Sequence, residues 1–466
     1  TMDTIFSPLT LKGNCSIYVI RISGDKVEDC LLALGITKKL KHREATLCNI
    51  IDKNSVNDNI LNNCDKNIDC KDDGNKAFKK VLDEALVVCF KAPNSFTGED
   101  VCEISLHCSS YIISKVFSIL LGVKNVRLAE RGEFSKRAFL NNKMDLMQAE
   151  SIADLIKSET ELQHRLAINQ LQGKNSNFYN ELRSKIVEVL SLLEAFIDFP
   201  EEDIPQELQY EIVNKVNNTV KTIENNLNDN RVGEKIKDGF HIAIIGEPNS
   251  GKSTLLNYLS KREVAIVSDI AGTTRDVLEV SLDINGIPVI LYDTAGIRDS
   301  QDIIENEGIK RAINKAENAD LKILMIAADN DLLNDNLIRL IDENTIILIN
   351  KIDLLKKNNF QPKDKDISVL EISLKTKENL NNFLNVLQNK LEKIVSPNIS
   401  TTITNERYRR ELLESLQYLK LFDFSLPIEI NAENIRIAAN HVGRITGKIT
   451  SEEIFDNIFS KFCIGK

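Results

Sequence analysis

The sequence predicts a multidomain protein of the α/β plus α class: an α+β domain first, then a helical domain, with an α/β domain inserted into the helical one. Three observations support this. The chain has 466 residues, which is long for a single hydrophobic core. Helical periodicity begins near residue 131 and returns near residue 392. Between about 237 and 391 the pattern repeats strand, loop and helix.

The N-terminal domain is predicted to span residues 1–130, where β-like apolar runs at 17–22, 85–90 and 101–106 alternate with short helical stretches. A polar segment near 52–78 is typical of a loop or an insertion. The helical domain is predicted to be discontinuous, with residues 131–236 and 392–466. Apolar residues recur there at three- and four-residue intervals, which indicates helices with one apolar face.

The inserted domain, residues 237–391, begins with a buried-strand run that opens into Gly246-Glu247-Pro248-Asn249-Ser250-Gly251-Lys252-Ser253. This G-x-x-x-x-G-K-S motif, between a strand and a helix, predicts a phosphate-binding loop. Its glycines let backbone N–H groups turn towards phosphates, and the helix N-terminus adds positive charge. Lys252 is expected to neutralise the β and γ oxygens, and Ser253 to ligate Mg²⁺.

Guanine specificity is predicted by Asn350-Lys351-Ile352-Asp353 after a second strand run. The Asp353 carboxylate can accept hydrogen bonds from both N1–H and the 2-amino group of guanine, whereas adenine lacks the amino group. Between the two motifs, Asp293-Thr294-Ala295-Gly296 supplies a carboxylate for the magnesium site and an N–H for the γ-phosphate. Thr274 fits a second magnesium ligand in the first switch. Together these ordered motifs predict a GTPase.

The water-orienting residue is not evident from the motifs. Ras-type enzymes place a glutamine directly after the D-x-x-G glycine, but this chain has Ile297, which cannot orient water. Another carboxylate, an added cation or a partner chain must then assist hydrolysis. Glu305 is a candidate, although a glutamate there could equally favour a helix N-terminus.

Composition limits the partners. The chain has 69 Asp and Glu against 59 Lys and Arg, a net charge of -10, so an RNA partner would need a local basic patch. Nine cysteines show no C-x-x-C or zinc-like spacing, which favours reduced thiols in the cytoplasm. The first residues lack a basic and apolar targeting pattern, and no apolar run is long enough to span a membrane. We therefore expect a cytoplasmic protein without a membrane partner.

These motifs resemble the MnmE (TrmE) family of tRNA-modification GTPases. The resemblance covers nearly the whole chain and is seen in these segments: 21–24, 93–100, 132–135, 137–141, 197–200, 246–253, 266–276, 293–298 and 463–466. It implies an N-terminal tetrahydrofolate-binding and dimerisation domain, a helical domain, and an inserted Ras-like P-loop GTPase domain with a mostly parallel sheet and helices on both faces.

The resemblance also implies residue roles. It assigns K⁺, the cation that assists hydrolysis, to Asn249, Ser268, Ile270 and Thr273, and it assigns Glu305 to water positioning. It assigns 5-formyl- or 5,10-methylene-tetrahydrofolate to Arg21, Glu103, Lys143 and Lys466. The residues expected at the GTP site are Asn249, Ser250, Gly251, Lys252, Ser253, Thr254, Ser268, Asp269, Ile270, Ala271, Gly272, Thr273, Thr274, Asp293, Thr294, Ala295, Gly296, Asn350, Lys351, Asp353, Ser373, Leu374 and Lys375.

The function implied is addition of an aminomethyl or carboxymethylaminomethyl group to carbon 5 of wobble uridine in certain tRNAs. Folate supplies the one-carbon unit, and the implied assembly is a homodimer that works with a flavin- and NADH-dependent MnmG (GidA) partner. Two basic clusters are candidates for tRNA contact, although solvated helix faces also explain such clusters. They are Lys124, Arg127, Arg131, Lys136 and Arg137, and separately Arg407, Arg409 and Arg410.

The chain departs from the family pattern at three places in the predicted folate domain. A T-P-x-G segment is replaced by Ser7-Pro8-Leu9-Thr10-Leu11-Lys12-Gly13-Asn14-Cys15, His107 is followed by Cys108 and Ser109 instead of two glycines, and Arg131 replaces a proline. In the guanine loop the family pattern Ser-Ala-Lys becomes Ser373-Leu374-Lys375. This change is mild, because the backbone N–H of this loop, and not the side chain, normally does the work there.

Two rival functions share the GTPase motifs. A ribosome-assembly GTPase of the Era or Der type should carry a basic RNA-binding domain or a second GTPase domain, and a membrane-remodelling GTPase should carry a membrane-facing segment. Neither feature is found in the sequence.

Cys463, in Phe462-Cys463-Ile464-Gly465-Lys466, does not fit a prenylation box because glycine and lysine occupy the last two positions. It remains either a structural thiol beside Phe459 and Phe462 or, as the resemblance implies, a catalytic residue at the modification centre.

Overall fold

A computed structural model of the chain describes residues 3–10, 15–52, 80–198, 205–261, 279–293, 314–329, 335–354, 367–395, 403–449, 458–460, 462 and 465. The contacts between residues divide the chain into two compact units. One comprises Thr1–Ala153 with Gly447–Lys466, and the other comprises Asp154–Thr446. The finer boundaries predicted at residues 130, 236 and 391 stay a prediction.

The first unit is built on a six-stranded sheet. Its strands are β1 (Thr4–Pro8), β2 (Ile17–Ser23), β3 (Thr46–Asp52), β4 (Lys80–Phe90), β5 (Val101–His107) and β6 (Val126–Leu128). They lie in the order β3-β4-β5-β2-β1-β6, with every pair antiparallel except β1 and β6. In β2, Tyr18, Ile20 and Ile22 are buried while the residues between them are more exposed, as the alternation of a half-buried strand requires.

Four helices follow or connect these strands. They are α1 (Val27–Ala33), α2 (Ser110–Leu121), α3 (Glu133–Leu140) and α4 (Leu146–Lys157). Val116 and Leu120 of α2 join the core beneath the sheet. Leu146 and Ala149 of α4 form a separate apolar cluster with Ile458, Phe459 and Phe462. The first unit therefore contains residues from both ends of the sequence.

The helical part of the second unit consists of long helices packed side by side. Its members are α5 (Glu161–Leu171), α6 (Lys174–Asp198), α7 (Gln206–Leu227), α8 (Val232–Asp238), α12 (Glu406–Lys420) and α13 (Ile428–Thr446). Tyr179 of α6 and Tyr408 of α12 are fully buried, with ring centroids 6.0 Å apart. The Gln170 side chain donates to the Tyr408 hydroxyl over 3.0 Å, so this core includes a satisfied polar pair.

The same unit contains a second six-stranded sheet. Its strands are β7 (Phe240–Gly246), β8 (Glu279–Ile284), β9 (Ile287–Asp293), β10 (Leu321–Ala327), β11 (Thr345–Asn350) and β12 (Ser368–Glu371), and its helices include α9 (Lys252–Ser260), α10 (Asp335–Arg339) and α11 (Leu380–Val395). The order is β12-β11-β10-β7-β9-β8, and only β8 is antiparallel to its neighbour.

Apolar residues cover both faces of this sheet. Ile242 and Ile244 of β7 belong to one core cluster, whereas Ala243 and Ile245 belong to a second cluster on the opposite face. Every residue of β11 is buried, which explains its continuous apolar run in the sequence. The predicted class, α/β plus α with a mostly parallel sheet between helices, is confirmed.

Of the polar segment predicted near residues 52–78, Asp52 belongs to β3 and the remainder lies outside the described residues. β4 begins at Lys80, earlier than the run at 85–90 predicted from the sequence. In the described ranges, no helix is both long and apolar enough to cross a membrane.

Candidate functional site

The phosphate-binding loop connects β7 to α9 through backbone conformations that exclude most side chains. Gly246 has a φ of 150°, and a Cβ there would lie 2.2 Å from the carbonyl oxygen of Met325 on β10. Gly251 has a φ of 109°, and a Cβ there would lie 2.4 Å from Nδ2 of Asn350. Asn249 adopts a left-handed φ of 63°, which asparagine tolerates better than most residues. The motif glycines are therefore required by close approach of neighbouring strands and loops.

Lys252 lies at the start of α9 and folds back over the loop. Its Nζ donates to the carbonyl oxygens of Gly246 at 2.8 Å and Glu247 at 2.9 Å, and the residue is buried. Ser253 and Thr254 follow in the first turn and are exposed, at the helix end where the dipole favours anions. The Ser250 hydroxyl is buried without a hydrogen bond from the described residues. This arrangement has the charge and polarity of a phosphate site.

Asn350, at the end of β11, joins the phosphate loop to the guanine loop. Its Nδ2 donates to the Ser250 carbonyl over 2.8 Å, and its Oδ1 accepts from the Leu374 backbone N–H over 3.1 Å. The side chain is almost fully buried. One amide thus fixes the spacing between the phosphate loop and the loop that contains Leu374.

The carboxylate of Asp353, which the sequence predicts to read guanine, is oriented by Ser373. The buried Ser373 hydroxyl donates to Oδ1 of Asp353 over 2.7 Å and also accepts from the Thr376 backbone N–H. Lys351, with a φ of 70°, places its Nζ 3.6 Å from the carboxylate of Asp329. The structure therefore brings together Asn350, Lys351, Asp353, Ser373 and Leu374, and Lys375 follows as an exposed residue.

Asp293 ends β9 opposite Ile244 of β7, next to the strand that carries the phosphate loop. The preceding Tyr292 shares a 2.5 Å hydrogen bond with Nδ1 of His241 and stacks on its ring. Burial, together with the nearby charges of Glu279 and Asp320, raises the pKa of Tyr292 to about 12, so its hydroxyl stays protonated at neutral pH. This pair anchors the strand that presents Asp293.

The remaining predicted residues of the GTP site lie outside the described residues, as do two predicted residues of the C-terminal segment. They are Ser268, Asp269, Ile270, Ala271, Gly272, Thr273, Thr274, Thr294, Ala295, Gly296, Glu305, Cys463 and Lys466.

In the first unit, the predicted folate residues Arg21 and Glu103 lie side by side. They are opposite each other on β2 and β5, and two nitrogens of Arg21 contact Oε1 of Glu103 at 2.7 and 2.9 Å. The guanidinium also lies over the rings of Phe96 and Phe134, at 4.9 and 5.6 Å from their centroids.

Lys143 is held at a different segment of this unit, where its Nζ donates to the Pro93 carbonyl over 2.9 Å. A Cβ on Gly465 would lie 2.1 Å from the Pro8 carbonyl oxygen, so the C-terminal segment passes directly beside the end of β1.

The predicted tRNA-binding clusters need correction. Arg137 is buried and pairs with Glu99 and Glu133, and Arg409 is buried and pairs with Asp229 and Glu234. These cations neutralise carboxylates inside their units and are not available to phosphates.

Two other members of the clusters also have protein partners. Arg407 donates to the backbone carbonyls of Arg444 and Ile445, and Arg127 pairs with Glu133. Lys136 is half-buried, whereas Lys124, Arg131 and Arg410 are exposed.

Sequence reasoning did not find the partners that orient the motif residues. The contacts of Asn350 with Ser250 and Leu374, and of Lys351 with Asp329, join distant parts of the chain. No local pattern in the sequence indicates them. Ser373 could have been assigned its orienting role, because a buried hydroxyl after a strand commonly bonds a nearby polar group.

Comparison with known proteins agrees with this geometry. Residues 4–143 match the family described as GTP-binding protein TrmE N-terminus, and residues 146–463 match the MnmE helical domain. The chain is 45% identical to the tRNA modification GTPase MnmE of Rickettsia typhi over 468 residues and 46% identical to that of Rickettsia canadensis over 472 residues, covering 100% of both chains in each case.

Among solved structures, that of a variant of Aquifex aeolicus Era bound to GDP.AlF4- is 26% identical with a TM-score of 0.28, covering 40% of this chain and 69% of that one. This likeness is too distant to support an argument. The full-length matches show that the chain is a GTP-hydrolysing enzyme and belongs to the MnmE family of tRNA modification GTPases.

Proposed function

We propose that this GTPase adds an aminomethyl or carboxymethylaminomethyl group to carbon 5 of wobble uridine in certain tRNAs, together with a flavin-dependent MnmG (GidA) partner. The proposal is carried by the match to tRNA modification GTPases over the whole chain, N-terminal unit included. A GTPase that shared only the nucleotide site would not match over residues 4–143. In this proposal the one-carbon donor is 5-formyl- or 5,10-methylene-tetrahydrofolate, bound in the first unit.

The nucleotide site fits GTP with Mg²⁺. Lys252 is already positioned over the loop, and the orphaned Ser250 hydroxyl and the exposed first turn of α9 supply polar groups for phosphate oxygens. Ser253 would hold Mg²⁺ together with Thr274, and Asp293 would support the ion from the end of β9. Mg²⁺ would neutralise the charge on the β and γ oxygens.

A potassium ion is proposed next to the phosphates because the chain has isoleucine, not glutamine, after the D-x-x-G glycine. Asn249 supports this proposal, because it is exposed on the loop and no hydrogen bond to its side chain is found among the described residues. Ser268, Ile270 and Thr273 would complete the ligands, and Glu305 would orient the attacking water.

The folate site has partial support from geometry. Both nitrogens of Arg21 that contact Glu103 use Oε1, so Oε2 has no hydrogen-bond donor in the described parts of the first unit. That oxygen could accept from the amino-pyrimidine edge of the pterin ring of a folate, while Lys143 and Lys466 would suit the carboxylates of its glutamate tail. A catalytic role for Cys463 at this site belongs to the same proposal, and the position of Gly465 beside Pro8 supports it.

The proposed assembly is a cytoplasmic homodimer that binds MnmG and tRNA. Because the net charge is -10, tRNA contact requires a local basic surface. Of the predicted clusters, Lys124, Arg131 and Arg410 are the exposed members that remain as candidates.

Nucleoside mass spectrometry of tRNA from cells depleted of this protein tests the modification. We expect loss of the modified wobble uridine, restored by the wild-type chain but not by Glu103→Gln. Lys26→Met is the matched control. Lys26 also forms an ion pair in the first unit, with Asp29, but both of these side chains are exposed. Unchanged wobble nucleosides in a host that normally modifies them would contradict the proposal and favour a ribosome-assembly role.

Cation dependence tests the hydrolytic mechanism separately. GTP hydrolysis should be faster in K⁺ than in Na⁺ at equal ionic strength, and Asn249→Ala should remove that difference while retaining GTP binding. Equal rates of the wild type in both salts would exclude the potassium site.

A further inference from the structure

Two cysteines meet at one end of the N-terminal sheet, where this chain departs from the family pattern. Cys15 lies just before β2, and Cys108 lies just after β5. The two strands are antiparallel with Ile17 opposite His107, and the Cys108 backbone N–H donates to the Ser16 carbonyl over 3.1 Å. This backbone pairing holds the two cysteines at adjacent positions across the strands.

The adjacent backbone positions bring the two thiols near each other. A side-chain interaction with Cys15 is the main cause that raises the pKa of Cys108 above its usual value. Burial, with added charge from Cys108 and Cys15, also raises the pKa of the neighbouring Tyr18. Both cysteines are partly exposed and pack at the edge of the apolar core. The two cysteines are therefore neighbours across the strands and within reach of solvent.

A second pair of thiols in the same sheet is close together but is not accessible to solvent. Cys89 and Cys102 lie opposite each other on β4 and β5, with their sulfurs 3.4 Å apart. Cys102 is 0% exposed and Cys89 is 5% exposed, so reagents in solution cannot reach them without unfolding. Comparing the two thiol pairs separates the effect of thiol proximity on reactivity from the effect of solvent exposure.

We propose that Cys15 and Cys108 form a redox-active dithiol, which low-molecular-weight disulfides such as oxidised glutathione convert into an intramolecular disulfide. A role in metal binding is less well supported, because no cluster of three or more His, Cys, Asp or Glu side chains suited to a metal occurs among the described residues. Two sulfurs alone do not complete the tetrahedral set that structural zinc requires.

The chemistry proceeds by two thiol–disulfide exchanges. Cys15 loses its proton to solvent and attacks one sulfur of oxidised glutathione, whose S–S bond breaks to release one glutathione thiol. Cys108 then loses its proton to solvent and attacks the Cys15 sulfur, whose bond to glutathione breaks and releases the second glutathione thiol. The two cysteines are oxidised, and one oxidised glutathione is reduced to two thiols.

The new bond would join the start of β2 to the end of β5, at an existing backbone hydrogen bond. A reducing compartment would return the pair to thiols, so the bond would report the redox state and would not be a permanent cross-link. The inference does not depend on the proposed tRNA chemistry, because it concerns only the exposure and proximity of two thiols.

The test uses the full-length protein in buffers with different ratios of oxidised to reduced glutathione. Reactions are stopped with acid, free thiols are alkylated, and peptides are mapped by mass spectrometry without reduction. We expect a linked Cys15–Cys108 peptide to appear as the buffer becomes more oxidising, with matching loss of alkylation at both positions. Cys89 and Cys102 should be alkylated only after denaturation and should remain unlinked.

Matched variants separate the two pairs. Cys15→Ser and Cys108→Ser should each abolish the linked peptide and leave a glutathione adduct on the remaining cysteine, whereas Cys89→Ser should leave the linked peptide unchanged. The proposal is overturned if the linked peptide is absent in excess oxidised glutathione. Linkage of Cys89 to Cys102 in the folded protein before Cys15 to Cys108, or covalent dimers on non-reducing gels in place of the linked peptide, would also overturn it.

Discussion

Asn350→Ala offers a direct test of how the nucleotide site is held together. In the wild type, the buried Asn350 amide donates to the Ser250 carbonyl over 2.8 Å and accepts from the Leu374 N–H over 3.1 Å. The alanine variant removes both bonds at once. The phosphate loop and the guanine loop then lose the side chain that connects them.

The expected magnitude follows from the two backbone groups left behind. A buried group that loses its only partner costs about 1–3 kcal/mol, so two such groups cost about 2–6 kcal/mol. Water can enter once the loops separate and recover part of this cost. If only about 1.4 kcal/mol of this free-energy cost weakens nucleotide binding, the dissociation constant for GDP rises about tenfold.

The assay measures GDP binding with a fluorescent analogue in buffer containing Mg²⁺, together with hydrogen exchange at the Leu374 amide. Asn350→Ala should weaken binding and speed that exchange. Asn318→Ala is the control, because Asn318 is exposed and, in the part of the chain that the structure describes, its side-chain amide bonds only to Asn314. If Asn350→Ala binds GDP as tightly as this control and the Leu374 amide stays protected, the loops are not connected through Asn350.

Three further predictions follow from the geometry. Gly246→Ala should abolish GDP binding in the same fluorescence assay and cost roughly 3 kcal/mol or more of stability, because its Cβ would lie 2.2 Å from the Met325 carbonyl oxygen; normal binding would refute the close approach. Lys252→Ala should reduce GTP affinity in a filter-binding assay by about 2 kcal/mol or more, because it removes a charge-assisted bond to phosphate; unchanged affinity would contradict this. Burial raises the pKa of the Glu133 carboxyl, but hydrogen bonds from Arg127 and other donors outweigh burial and lower this pKa below 4.5. The stability that Glu133 contributes is therefore fully present above pH 4.5 and is lost as the pH falls through the lower pKa of the folded state. Glu133→Gln should flatten this acid dependence in circular dichroism, and an unchanged acid profile would count against it.

Sequence reasoning succeeded where function depends on backbone conformation. The phosphate loop is legible because Gly246 and Gly251 occupy positions that a Cβ would block, and the strand before it is a continuous apolar run. The guanine-reading role of Asp353 stays a prediction, which rests on a carboxylate at a strand end that matches the guanine edge. These signals are local, so they survive in a single sequence.

Reasoning failed where function depends on contacts between distant residues. Arg137 and Arg409 looked like exposed cations in basic clusters, but each is buried against carboxylates. A single sequence lists charges without showing which of them pair in space. The proximity of Cys15 and Cys108 was likewise hidden, because it depends on the register of β2 against β5.

The apolar cluster of Leu146 and Ala149 with Ile458, Phe459 and Phe462 has a consequence for biosynthesis. The sheet of the first unit has its own core, formed by residues between Phe6 and Val126, which leave the ribosome early. The partners of α4 are translated only after the whole nucleotide-binding domain. Between those two moments the apolar face of α4 lacks these partners, so the nascent chain exposes an apolar surface of the kind that promotes aggregation until residues 458–462 have been synthesised.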